Sequence, residues 1–278
     1  MPPVVKNLLI LNGLLFLATL SFQTSIGIDL RDMLGLHYFE AEKFKIYQIV
    51  TSMFMHGDFT PIFFNMFAVW MFGSAIENVW GSRKFLIYYL LTGFGAALIH
   101  YITIYIDIAP VISMMEQLVE DPSAQAAISF TNSHNWGSYL DQFYYKDMYD
   151  RTLEYMNGSL QVLKVDPENT QALRDTSNFF ASYLEHFMNL PNVVGASGSL
   201  FGILLAFGMM FPNVRLFMIF IPIPIKAKYF VIGYGVMELV SAFQNNPGDN
   251  VAHFAHLGGM LFGYIIIKFW QKSGQRWR

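Results

Sequence analysis

Six apolar runs, at about 5–22, 60–76, 85–106, 197–211, 229–244 and 250–270, constrain this chain more than any other feature. A helix needs about 20 apolar residues to cross a ~30 Å hydrocarbon core. Only 13% of the residues are charged and 54% are hydrophobic, whereas soluble domains carry roughly 25% charged residues. Lipid offers the backbone no hydrogen-bond partners, so spanning segments must satisfy themselves, as helices do. The chain therefore reads as an all-α, polytopic membrane protein with six transmembrane helices. Lys6 precedes the first run and no small-residue cleavage site follows it, which reads as a retained signal-anchor.

Basic residues in short loops orient such a bundle. With the N-terminus cytoplasmic, the inner side holds Lys6, Arg83, Lys84, Arg215, Lys226, Lys228, Lys268, Lys272, Arg276 and Arg278. The first outer loop holds only Arg31, Lys43 and Lys45. Both termini then lie inside, as for a bacterial inner-membrane protein. A net charge of −3 argues against a nucleic-acid partner. The absence of cysteine excludes disulfides, thiolate metal sites and a cysteine nucleophile.

Residues 107–190 break the apolar pattern with 12 acidic and 4 basic residues. They read as an acidic helical insertion on the outer side, between membrane segments 1–106 and 191–278. Helical periodicity covers about 138–163 and 168–188, with Leu160, Leu163, Leu173, Phe180 and Leu184 as an apolar stripe. Asp166-Pro167 reads as N-cap and first helical position. The insertion is a candidate site for a protein partner.

The fourth run is short. From Ser197 to Phe211 a helix would rise about 22 Å, and Pro212 discourages its continuation. A polar start on so short a helix sits below the membrane surface, where irregular backbone needs a hydrated cavity. That start is Gly195-Ala196-Ser197-Gly198, and the sixth run carries Ala255-His256-Leu257-Gly258-Gly259. Serine is a weak nucleophile until a base takes its proton, and imidazole titrates near neutrality. Gly198, Gly202 and Ala206 form a small-residue stripe on one helix. Gly259 and Gly263 follow His256 at i+3 and i+7 on the other, so the two helices can approach closely. Phe201, one turn from Ser197, could stack on the imidazole. No carboxylate is evident as a third member. Asn65, in the apolar run Ile62-Phe63-Phe64-Asn65-Met66-Phe67, is the best side-chain donor for an oxyanion.

Three motifs carry a resemblance: Gly195-x-Ser197-Gly198, Ala255-His256-x-x-Gly259-x-x-x-Gly263, and Asn65 to Trp70 running on to Gly73 and Glu77-Asn78-Val79-Trp80-Gly81. In this order on six spans, they make the chain similar to the rhomboid family of intramembrane serine proteases. The resemblance covers about 1–106 and 191–270. It implies a bacterial-type enzyme that cleaves transmembrane segments of other membrane proteins without cofactor or metal. Ser197 would be nucleophile, His256 general base and Asn65 an oxyanion donor, with Glu77 structural. Substrate helices would enter from the surrounding lipid. Tyr47-Gln48 stands where many members carry Trp-Arg, after a lipid-dipping loop.

One position departs from the pattern. Members commonly carry His four residues before the Asn, and this chain has Pro61, which cannot donate. Thr60-Pro61 reads instead as N-cap and first turn, so the site is one donor short, with reduced but real activity expected, or recruits another; His56 is a candidate, although a histidine there is more commonly on the outer surface. His253 and His256, with Asp249 nearby, have a spacing that could hold a metal, but the sequence lacks HExxH. Glu238 reads as a structural pair to a neighbouring helix. The alternative to an enzyme is a non-catalytic rhomboid-like protein that binds membrane clients. A transporter is disfavoured because the repeated halves common in such folds are missing.

Overall fold

The computed structural model describes residues 1–140, 142, 145–217, 224–244 and 252–274. It is an all-α polytopic membrane protein. Two compact units divide the described chain: 1–36, 45–103 and 193 onward form one, and 37–44 with 104–192 the other.

The membrane unit begins with α1 (Pro3–Ile26), followed by α2 (Leu30–Leu34) and α3 (Gln48–Thr51). A 3-10 turn at Ser52–Phe54 leads into α4 (Phe59–Ala68), a π-helical turn (Val69–Gly73) and α5 (Ser74–Trp80), which together make one membrane-length segment. α6 (Ser82–Glu120) follows. By length and apolarity Pro3–Ile26, Phe59–Trp80 and Ser82–Glu120 can each cross a membrane. Many of their large apolar side chains face outward, Leu17 being 63% exposed and Phe63 51%. Surfaces so apolar belong in lipid.

Two expectations about the second span need correction. Asp58, not Thr60, is the N-cap, so Pro61 lies inside the first turn. There it removes only a donor that has no intrahelical acceptor. The π-helical turn was not anticipated; it adds residues to the turn and brings Val69, Phe72, Gly73, Ile76 and Glu77 to the buried side. Glu77 then reaches the first turn of α1. Its two carboxylate oxygens accept from the Val4 and Val5 N–H groups at 2.9 and 2.8 Å, and Ser82 Oγ donates to it at 2.7 Å. A carboxylate on the unpaired amides of a helix N-terminus is favoured by both hydrogen bonding and the helix dipole.

The third span also differs. α6 runs through Asp107 and Pro110 to Glu120 rather than ending near 106. An interior proline costs about 3 kcal/mol, but Ile108, Ile112, Met115 and Leu118 form a buried stripe at helical spacing that offsets it. The second unit continues with α7 (Ala124–Ser133), α8 (Trp136–Tyr139), α9 (Lys146–Asn157), α10 (Ser159–Val165) and α11 (Thr170–Met188). The expected helix over 138–163 is therefore three pieces, and Gly158 breaks the last two apart. α11 starts at Thr170 rather than Pro167. Asn169 caps it by accepting from Ala172 N–H at 3.0 Å, while Asp166 closes α10. Its buried stripe is Ala172, Thr176, Phe179, Phe180, Tyr183 and Phe187, so Leu173 and Leu184 are only flank.

α12 (Ser197–Met210), α13 (Ala227–Gln244) and α14 (His253–Lys272) complete the membrane unit. A short antiparallel ladder before α13 pairs Arg215 with Lys226 and Leu216 with Ile225. At 14 residues α12 rises only about 21 Å. It is buried nearly all round, as the central helix of a bundle must be.

Candidate active site

The expected small-residue stripes meet. A Cβ on Gly259 would lie 2.0 Å from the Gly198 carbonyl oxygen, and one on Gly198 would lie 2.3 Å from Ala96 Cβ of α6. Neither position tolerates a side chain, so α12 and α14 touch backbone to backbone. One turn further along each helix, Tyr88 OH donates to the Gly202 carbonyl at 2.8 Å, and Gly263 lies against Tyr88 and Gly202. Such contacts replace the hydrophobic driving force that helices in lipid lack.

These contacts hold together the two helices that carry Ser197 and His256. Ser197 opens α12 and is partly exposed. Before it, Gly195 adopts φ +139°, a conformation that disfavours any side chain. The N–H of Gly195 is tied to the Ser52 carbonyl at 3.0 Å, which anchors the start of α12 to the 3-10 turn. His256 is buried, and its ring stacks on Phe201 with centroids 4.0 Å apart and planes 12° from parallel. No hydrogen bond joins Ser197 Oγ to His256 among the described residues. Nucleophile–base hydrogen bonds are commonly loose until substrate is bound.

The expectation that His256 lacks a carboxylate is overturned. His256 Nδ1 donates to Glu238 Oε2 of α13 at 2.8 Å, and His253 Nδ1 donates to the same oxygen at 2.6 Å. Glu238 does pair with a neighbouring helix, and its partners there are His253 and His256. The residues are 18 positions apart on successive helices, so no local spacing reveals the pair. The available signal was a carboxylate inside the apolar run next to the one carrying His253 and His256. These three residues also have ligand atoms within 4.8 Å of one another. Asp249, considered with them, lies outside the described residues.

Asn65 meets His56. Its Nδ2 lies 3.2 Å from His56 Nε2. His56 is buried rather than on the surface, and burial pushes its pKa down to about 4. It is therefore neutral at pH 7, with one nitrogen donating and the other accepting. With Nε2 accepting from Asn65, Nδ1 carries the hydrogen. Nδ1 makes no well-formed hydrogen bond among the described residues. Pro61 is exposed and contributes no donor. At a helix start such as that of α12, the first N–H groups also lack intrahelical acceptors. Tyr47 and Gln48 do other work: Gln48 Nε2 and Tyr47 OH donate to the Met33 carbonyl at 3.2 and 3.3 Å, bracing α3 against α2.

No curated protein matches the chain. The Rhomboid domain family model matches residues 43–107 and 170–272, passing over most of the acidic segment and taking in α11. This match covers more than half of the chain and includes Asn65, Glu77, Ser197, Glu238 and His256. The chain thus belongs to the rhomboid family and is an integral membrane protein.

Proposed function

We propose that this protein is an intramembrane serine endopeptidase that cleaves transmembrane segments of other membrane proteins. The observation that carries the reading is the placement of His256. Its ring is stacked on Phe201, one turn along from Ser197, on helices held in backbone contact. A substrate helix enters from the lipid, unwinds and offers a carbonyl to Ser197. Ser197 Oγ bonds to the carbonyl carbon as its proton passes to His256 Nε2. The oxyanion is held by Asn65 and the N–H of Ser197, and such donors contribute roughly 3–4 kcal/mol each. The C–N bond then breaks, His256 returns the proton to the leaving amine, and water hydrolyses the acyl-enzyme.

His56 supplies the donor that Pro61 cannot. On this reading Pro61→His raises turnover by less than about threefold, and a larger gain would show the site to be one donor short. The termini are cytoplasmic and the membrane is a bacterial inner membrane. Residues 107–190 act on the outer side as a partner- or substrate-recruiting module.

The test is activity-based labelling of the full chain in detergent with a fluorophosphonate. Covalent labelling that disappears in Ser197→Ala is expected. A folded wild-type protein that is never labelled would support the second reading, a non-catalytic client-binding protein, which Pro61 in the donor position favours.

A further inference from the structure

Glu238 sits in α13 among Val236, Met237, Leu239 and Val240, yet it is 7% exposed and turned inward. A carboxylate in an apolar helix is costly unless it is satisfied. Here one oxygen, Oε2, takes hydrogen bonds from both His256 Nδ1 and His253 Nδ1. An ionised carboxylate only accepts, so each ring nitrogen facing it must carry a hydrogen. For His256 this leaves the lone pair on Nε2, at the far edge of the ring, where a general base needs it. Phe201 fixes the plane of that ring by stacking. Glu238 fixes its rotation and its tautomer.

We propose that Glu238 is a positioning residue for His256, so that the catalytic unit is Ser197–His256–Glu238, with His253 holding the carboxylate in place. This rests on the proteolytic reading above. The two histidine rings stand 90° apart with centroids 6.3 Å apart, so His253 braces Glu238 from the side without covering His256. When Nε2 takes the Ser197 proton, the imidazolium forms beside a negative charge. Without that charge a cation would arise inside a bundle surrounded by lipid, where isolated charge is strongly disfavoured. Glu238 itself takes no proton in any step. The proton moves from Ser197 Oγ to His256 Nε2 and from there to the leaving amine.

The same three side chains could bind zinc, which takes two histidines and a carboxylate in hydrolytic sites. A metal on Nδ1 would replace the proton that this proposal requires, so the two readings are exclusive.

The experiment compares wild type, Glu238→Gln, Glu238→Asp and Ser197→Ala as full chains in liposomes. It reads fluorophosphonate labelling rate, kcat and KM on a transmembrane substrate, and the pH dependence of kcat/KM. Other titratable groups around the pair are Tyr234 of α13, beside Phe201 and Glu238, His253 of α14 and His100 of α6, and all are unchanged in these variants. Glu238→Gln is expected to lower kcat and the labelling rate by about 10²- to 10⁴-fold with little change in KM. The acid-side inflection in kcat/KM, where a general base loses its proton, should move to lower pH, because the protonated ring loses its counter-charge. Glu238→Asp should recover part of the rate and the original inflection. A Glu238→Gln variant that is merely misfolded would instead lose active fraction while keeping the wild-type inflection, which overturns the proposal. Equal labelling rates for wild type and Glu238→Gln overturn it as well, as does stoichiometric bound zinc whose removal changes the rate. A folded wild type that shows no Ser197-dependent labelling overturns the proteolytic reading first and this proposal with it.

Discussion

Two ring-stacked histidines, one in each unit, His256 buried and His134 half-buried, differ in partner. His256 is stacked on Phe201 and bonded to the Glu238 carboxylate. His134 is stacked between Phe130, at 4.8 Å and 19°, and Tyr139, at 5.2 Å and 20°, and its Nε2 lies 2.7 Å from Tyr183 OH. A phenol offers no countercharge to an imidazolium, and burial pushes the His134 pKa down to about 4. His134 is therefore a neutral packing group at the centre of an aromatic cluster. The carboxylate behind His256 suits that ring to carry a proton in passing. The contrast teaches that stacking alone leaves a histidine neutral packing; on the proposed reading, the carboxylate on the second nitrogen is what suits His256 to act as a base.

The largest expected effect removes the base's target. Ser197→Ala should lower turnover at least about 10³-fold while leaving Phe201 and His256 stacked. Assay of substrate cleavage in liposomes checks this, and residual activity near wild type would mean another nucleophile. Next, Asn65→Ala should lower kcat by about 10²- to 10³-fold. His56→Ala should lower the same parameter by a smaller factor, since Asn65 and the backbone donors of α12 both remain. An effect confined to KM in both variants would place the His56–Asn65 pair in binding rather than in the oxyanion site.

Smaller effects sharpen the comparison from the aromatic side. Phe201→Leu keeps an apolar side chain but removes the ring face. It should lower kcat by about 2- to 10-fold, the worth of an aromatic stack. An unchanged kcat would leave Glu238 as sole orienting group.

The least effect on activity is expected in the second unit. The folded-state pKa of His134 is depressed, so between its ordinary value of 6.5 and about 4 the unfolded chain binds more protons than the folded one. Stability of the aromatic cluster is full above that window and is lost as pH falls through it. Burial lowers the pKa of His186 in the same unit as well, so it shares the direction. Gln at position 134 can still bond Tyr183 but does not titrate. His134→Gln should therefore flatten the acid dependence of hydrogen exchange in α7 and α11. Unaltered acid dependence in that variant would assign the effect to His186 instead.

How much of this could be read before folding varies by residue. Ser197 and His256 stood out because each follows or precedes glycines at helical spacing, and the glycine stripes marked which faces would touch. Asn65 stood out as one amide in an apolar run. The π-helical turn at Val69–Gly73 left no compositional mark, yet it sets which residues of the second span face inward and so lets Glu77 cap α1. α6 outruns the apolar run that ends near 106, because the stripe Ile108, Ile112, Met115 and Leu118 beyond it has packing partners only in the folded unit. The start of α11 was misread for another reason. Asp166 and Asn169 are both good caps, and only the fold chose between them.

Membrane residence, helical class, the serine, the histidine and the close approach of their helices follow from linear order, since periodicity and composition are properties of neighbours in the chain. The pairing of Glu238 with His256, and of His56 with Asn65, belongs to the fold alone. Each depends on the rotation of one helix or loop against another. Packing throughout the bundle sets that rotation, and no short stretch of residues encodes it.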